Sequence, residues 1–305
     1  MSSDWHHLTE FIQAHSGEPI ALATLVSCEG SSYRKAGARL LVSQSSQHSG
    51  SLSGGCLEES IAKTALVVLA DGKPRSERVD TQPHFGCPGV LTIQIEKIPP
   101  HGLLDEISNN ISQRETFSLT TDSTKTILGE SQNKDENESF TEVVTPPTRL
   151  LVIGWTSDQD PLFQMAQHLH WDCIRIVRDE QILAETTPVA HEDCLTCPPE
   201  ELSHRFPPDA ATAVLIMSHH LATDLAYLKS AAAANYCYLG LLGSRRRREK
   251  LLHELGESGL LEDSSWLANF HGPVGLDIGA QHPATIALSI LAEIQAKLHP
   301  ASPSK

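Results

Sequence analysis

Two stretches of the sequence gather small residues, hydroxyls, guanidinium groups and a thiol in the way a site for a large anion would need. In "CEGSSYRKAGARLL", Gly30, Ser31, Ser32, Arg34, Lys35, Gly37 and Arg39 fall within ten residues. Arginine forks match phosphate and carboxylate, hydroxyls donate, and glycines let backbone come close, so the loop reads as an oxyanion or phosphate cradle. An ordinary polar connection between strands is the other reading. In "GSLSGGCLEESI", Gly54 and Gly55 would bring bare backbone near a ligand, and Cys56 falls at or near the first turn of a following helix. A helix N-terminus favours the thiolate. Glu58 and Glu59 partly oppose that, and a buried inert thiol is the alternative. "HFGCPGVL" sets a second cysteine, Cys87, in another glycine-flanked turn.

The second half of the chain carries its own anion-seeking pattern. In "YLGLLGSRRRREKLL", Gly240 and Gly243 flank a strand end, Ser244 is placed to cap a helix, and Arg245 and Arg246 begin a run of four arginines. Cations at a helix N-terminus are unfavourable for the helix itself, which points to an anionic partner. Pairing with the chain's own carboxylates is the alternative, and four arginines span more than one helical face. Asp277 sits between Gly275 and Gly279 in "GPVGLDIGAQHP". There it either fixes the loop through side-chain to backbone hydrogen bonds or lines a crevice at the strand ends.

Other motifs are degraded or incomplete. "VIGWTSDQDPL" follows Gly154 with the large Trp155, puts Thr156 where a dinucleotide turn has its second glycine, and places Asp158 near the phosphate position. Arg178 precedes Asp179 in "IVRDE", which blurs the acidic residue expected at the end of a second strand. These departures argue against NAD(P). Cys194 and Cys197 form a CxxC with neither a second pair nor histidines at metal spacing, so a plain loop pair is expected rather than a zinc site. The sequence has no GxSxG elbow, HExxH or P-loop.

Two layouts are needed to position these residues. A short helix over residues 4–14, strands in "PIALATLVSCEG", "GARLLVS" and "SGSLSG", a helix in "CLEESIAKTALVVLADGK" closed by Gly72, and a strand in "GVLTIQIEKI" describe a mixed α+β domain over residues 1–147. Within it, residues of about 116–145 read as a hairpin with a polar tip, and "TPP" marks the boundary. Over 148–305, "RLLVIG", "CIRIV", "ATAVLIMS" and "YCYLGLL" alternate as strands with four helical segments. That alternation predicts an α/β, Rossmann-like C-terminal domain with a doubly wound, mainly parallel sheet.

The 305 residues, 40% hydrophobic and 20% charged, suit two globular domains. Apolar runs such as "TALVVLA" fall far short of the ~20 residues of a membrane span. The N-terminus lacks a basic region followed by an apolar core, so a cytoplasmic protein, away from membranes, is expected. A net charge of −15 opposes nucleic acid binding, and seven cysteines fit free thiols better than a disulfide framework.

Taken together, "LATLVSCEGSSYRKAGARLLV", "GSLSGGCLEESI", "FGCPG", "YLGLLGSRRRREKLL" and "GPVGLDIGAQHPATIALSILAEI" resemble the XdhC/CoxI accessory proteins of molybdenum hydroxylases, in the family's order from about Ile20 to Leu298. The resemblance implies a non-catalytic maturation factor. Such a chaperone binds molybdenum cofactor (molybdopterin or a dinucleotide form) as cargo, supports its sulfuration and delivers it to a xanthine dehydrogenase-type apoenzyme. A cysteine desulfurase is the implied sulfur donor, and a homodimer is the default assembly for such folds. In this reading Gly54 and Gly55 close on the pterin, and Cys56 faces the metal end as a molybdenum or sulfur contact, with Cys87 as a second thiol. Arg34, Lys35 and Arg39 neutralise the phosphate, Ser31 and Ser32 donate hydrogen bonds, and Gly30 belongs to the same cofactor-binding loop. Gly243, Ser244, Arg245, Arg246 and Asp277 complete the cofactor-binding set. Two departures stand out: the family's first Rossmann turn is commonly glycine-rich, and Pro88 in "GCPG" replaces a glycine of GCGG, removing an N–H. An NAD(P)-dependent oxidoreductase using the C-terminal domain is the alternative, and a thiol-based redox or metal-trafficking protein the third reading.

Overall fold

The computed structural model describes residues 3–30, 32–55, 57–81, 89–129, 139–178, 194–257 and 265–299. The chain divides into two units, Met1–Pro147 and Thr148–Lys305. In the first, β1 (Ile20–Gly30) opens with an unbroken buried run because both of its faces are covered. It is the middle strand of an antiparallel sheet ordered β3-β2-β1-β5-β4, with β2 at Arg39–Val42, β3 at His48–Gly50, β4 at Arg75–Asp80 and β5 at Gly89–Ile98. Ala21, Ala23 and Leu25 meet Ile61, Ala65 and Val68 of α2 (Glu58–Asp71) on one face. Ile20 and Leu22 meet Leu8 and Ile12 of α1 (Ser3–Ala14) and Ile107 of α3 (Leu103–Ser112) on the other. The period-two alternation of a strand thus feeds two layers. Left-handed Gly72 ends α2, its N–H bonded to the Val68 carbonyl.

Three details depart from the sequence expectations. Strand β4, "RSERVD", is an edge strand whose charges hide it from a hydrophobic pattern. Strand β3 ends at Gly50, and Ser51–Gly55 form a loop instead of continuing it. The segment expected as a hairpin holds three antiparallel strands, β6 (Phe117–Thr121), β7 (Thr126–Leu128) and β8 (Phe140–Val144), with β6 central. Its polar tip, residues 130–138, lies outside the described residues. Two buried polar side chains on β5 reach this small sheet. Gln94 donates to the Ser123 carbonyl at 2.7 Å, and Glu96 bonds Thr126, burial pushing its carboxyl up to about 7.

The second unit is a six-stranded parallel sheet ordered β11-β10-β9-β12-β13-β14. Its strands are β9 (Arg149–Ile153), β10 (Asp172–Val177), β11 (Cys194–Thr196), β12 (Thr212–Ile216), β13 (Tyr238–Leu241) and β14 (Phe270–His271). Its helices are α4 (Asp160–His168), α5 (Leu202–Arg205), α6 (Leu221–Ala234), α7 (Arg245–Glu257) and α8 (Pro283–Leu298). Leu151 and Ile153 pack towards Leu228 of α6 and Leu251 of α7, while Leu150 and Val152 pack towards Leu162 of α4 and Ile290 of α8. Helices on both faces of a parallel sheet make the doubly wound α/β fold that the alternating pattern predicts. Cys194 and Cys197 are buried, Cys197 within the α6-side core, and burial pushes both thiols up. Among the described residues no helix is long and apolar enough to cross a membrane.

Candidate functional site

The loop before α2 is built round a carboxylate. Glu58, 5% exposed, accepts at Oε1 from the Ser51 hydroxyl and the amides of Leu52 and Ser53, each at 2.9 Å. Its Oε2 accepts from the Ser53 hydroxyl and the Leu57 amide, each at 3.0 Å. Burial acts to raise this carboxyl, but the hydrogen bonds from Ser53, Leu52 and Ser51 outweigh it and hold the group at about 2. The amides of Leu52, Ser53 and Leu57 therefore serve the chain's own anion. Gly54 and Gly55 lie beyond these bonds with φ of 82° and 111°. A Cβ on Gly54 would touch the Tyr33 ring at 3.1 Å, whereas one on Gly55 would meet nothing within 4 Å among the described residues beyond its chain neighbours.

Tyr33 is 79% exposed, and its contact with Gly54 brings the two motif loops of the first unit together. Arg39, expected to bind phosphate, is corrected to a structural role. Only 4% exposed, it donates to the Gly37 carbonyl at 2.8 Å, pairs with Glu142 and lies 4.7 Å over the Trp5 ring. Arg34 is half-buried and has a partner of its own, Ser32 is half-buried, and Lys35 is exposed. Gly30 closes β1 opposite Gly89. Ser31, Cys56 and Cys87 lie outside the described residues. The described flanks of the Cys87 segment, Thr81 and Gly89, are joined by a 2.9 Å backbone bond at the sheet end where β1 stops.

In the second unit the four arginines separate. Arg247 donates from Nε and Nη2 to Asp224 Oδ2 at 3.0 and 2.5 Å, and Asp224, 1% exposed, also holds the Ser218 hydroxyl. Gly243 makes room for this brace, since a Cβ there would come within 2.6 Å of Arg247 Cδ. Arg248 lies 5.5 Å over the Phe270 ring. Ser244 accepts from the Arg247 amide at 3.3 Å, and only Arg245 and Arg246 of the run are exposed. Asp277 is exposed and makes no hydrogen bond among the described residues, so it does not fix its loop. Glu293 does so instead, accepting from the Gly275 amide at 2.9 Å and the Tyr238 hydroxyl at 2.6 Å.

The turn after β9 shows why a dinucleotide is poorly served. Asp160, in the first turn of α4, already supplies the negative charge that a helix N-terminus favours. Arg175 pairs with it at 2.6 Å, stacked 4.6 Å from the Trp155 ring and 4.1 Å from the Phe163 ring. A pyrophosphate would have to displace this assembly.

Two family models match the chain: the XdhC Rossmann domain over residues 150–294, and the XdhC and CoxI family over residues 13–80. The chain belongs to the XdhC/CoxI family. Relatives of this XdhC/CoxI protein include the Molybdenum cofactor insertion chaperone PaoD of Escherichia coli K12, 28% identical, spanning 93% of this chain and 85% of that one. A Bacillus subtilis 168 protein described as a probable xanthine dehydrogenase subunit is 27% identical, spanning 91% and 92%. A solved structure described as a xanthine dehydrogenase from Bacillus halodurans superposes with a TM-score of 0.75 at 25% identity, covering 99% of this chain and 98% of that one.

Three residues that organise this XdhC/CoxI protein escape a reading by motif. Glu58 reads as a charge opposing Cys56, although a serine-rich loop leading to an acid at a helix start is a signal for local capping. Tyr33 stands among groups chosen for charge, and its exposed ring goes unremarked. Asp224 sits in the apolar helix pattern "LATDLAYL", where an acid among alanines and leucines calls for a buried cation.

Proposed function

We propose that this protein carries molybdenum cofactor as cargo and acts, without catalysing turnover itself, in the maturation of a xanthine dehydrogenase-type enzyme. It holds the cofactor, supports its sulfuration and delivers it to the apoenzyme, with a cysteine desulfurase as sulfur donor. The observation that carries this reading is the meeting of Tyr33 with Gly54, in a chain similar along most of its length to a molybdenum cofactor insertion chaperone. An exposed ring beside backbone that opens at Gly55 suits a flat heterocycle, which stacks on an aromatic face and approaches where no side chain intervenes. Because Glu58 occupies the amides of Leu52 and Ser53, phosphate contact falls to Ser32 and Lys35, and Cys56 is the thiol for the metal or sulfur end. The Arg175–Asp160 pair weighs against the alternative of an NAD(P)-dependent oxidoreductase.

An anaerobic titration with cofactor released from a donor enzyme tests the proposal. The wild type should bind stoichiometrically, Tyr33→Ala should weaken binding about tenfold, as loss of a stacking face does, and Cys56→Ser should shorten retention. A folded wild type that fails to bind would overturn the carrier role.

A further inference from the structure

Two carboxylates of the first unit are buried to nearly the same degree and served very differently. Glu58 is 5% exposed and has five donors, whereas Glu96 is 7% exposed and has the hydroxyl and amide of one residue, Thr126. A buried carboxylate needs several donors or a cation to stay ionised, so of the two it is Glu96 that is placed to hold a proton. Leu22 of β1 stands opposite Glu96, and Thr24 opposite Gln94, so both β5 side chains lie on the face that the β6–β8 sheet covers. Gly129 donates to the Ser118 carbonyl at 2.8 Å and Asp122 to the Lys125 carbonyl at 3.0 Å, so the ladder bonds between β6 and β7 run through alternate pairs. Thr126 falls in an intervening pair, opposite Thr121, and its N–H therefore points out from the β7 edge towards Glu96.

The other contacts of the small sheet differ in kind. Arg39 pairs with Glu142 and pins β8, on the far side of β6 from β7. At the β6–β7 end, Gln94 donates to the Ser123 carbonyl at 2.7 Å. Asp122 ties that turn together by accepting from the amide and hydroxyl of Thr124 and from the Lys125 amide. Beneath the hairpin the seam is polar, because Gln94 Oε1 and Thr24 Oγ1 are buried and have no partner among the described residues. Both gain water when the hairpin lifts, which lowers the cost of opening. The charged groups that face Glu96 are Asp122, which opposes its ionisation, and Lys125, which favours it. Leu22 meets it from β1, and α1 and α3 bring apolar Leu8, Leu104 and Ile107 to the same layer. Lys97, next on β5, turns away to the Leu69 carbonyl. Burial outweighs the Thr126 bonds and holds the carboxyl at about 7, against an ordinary 4.5.

We propose that the β6–β7 hairpin is a proton-operated latch, shut over β5 while Glu96 carries a proton and loosened when it does not. Lifting the hairpin returns the carboxyl to water, so opening releases one proton between about pH 4.5 and 7. The latch is tightest below that window, weakens about tenfold per pH unit through it, and is level above it. Amide hydrogen exchange of the full chain across a pH series tests this. Protection of the Thr126 amide, corrected for the intrinsic pH dependence of exchange, should fall about a hundredfold between about pH 5 and 7 and then stay level. Protection of Ala23 and Ile93, inside the five-stranded sheet, should hold throughout. Glu96→Gln keeps the shape and accepts the same bonds without ionising, and should give a flat Thr126 profile. In the wild type the Glu96 carboxyl carbon resonance should titrate near 7. The proposal is overturned if that resonance titrates near 4.5, if Thr126 protection in the wild type is flat, or if Glu96→Gln reproduces its fall. The latch makes no use of the cofactor-carrying loops, so failure here leaves the carrier role untouched.

Discussion

Five donors converge on the Glu58 carboxylate, and all of them come from the seven residues just before it. A carboxylate so placed is a folding instruction for its own loop. Its folded value of about 2 lies below the ordinary 4.5, so the stability it contributes is complete above about pH 4.5 and is lost as the pH falls through about 2. Glu58→Gln, which presents an amide N–H to some of those donors, should therefore cost about 2 kcal/mol at neutral pH. The difference from wild type should shrink in acid, as followed by denaturant unfolding across a pH series; a constant difference would mean that the charge is not what holds the loop. At this scale the sequence was least informative. It shows that Arg39 is an arginine where a polar loop enters a strand, but whether that guanidinium faces a ligand or Trp5 and Glu142 depends on residues far away in the chain. Exposed Arg245 and buried-site Arg247 are likewise identical letters two positions apart, separated only by which face of α7 meets Asp224.

Elements were far more legible, because their signals are periodic. The parallel strands of the second unit coincide with short apolar runs, and α6 and α8 with longer ones, since burial on two faces demands both. Where an element is short, charged or at an edge, as β4 and β11 are, its sequence carries no such period. The turn after β9 is a second case: a degraded glycine pattern reads as loss of function, yet Gly154 is under tight constraint. Its φ is 105°, and a Cβ would overlap Ser218 Cα, a backbone atom that cannot swing aside. Gly154→Ala should push the β9 and β12 loops apart and cost about 3 kcal/mol or more, measured as a shift in urea midpoint. A midpoint within experimental scatter of wild type would show that the two loops separate freely.

For the whole molecule, each of the four core clusters lies within one of the two units, and none among the described residues draws from both. Residues 148–305 produced alone should therefore unfold in a single cooperative thermal transition, seen by circular dichroism; a gradual, non-cooperative loss of signal would show that the unit leans on the rest of the chain. The α/β class of the second unit could be read from its alternating pattern, because one sheet with helices on both faces is the usual way to bury so many short apolar strands. The three-stranded arrangement of β6, β7 and β8 could not, since β7 is only three residues long. Separate cores have a consequence for how such a protein can be encoded. A reading frame interrupted at Pro147 would yield two shorter products, each holding the interior it needs to fold, so the loop motifs of the first unit and the parallel sheet of the second could be inherited, exchanged or lost one without the other.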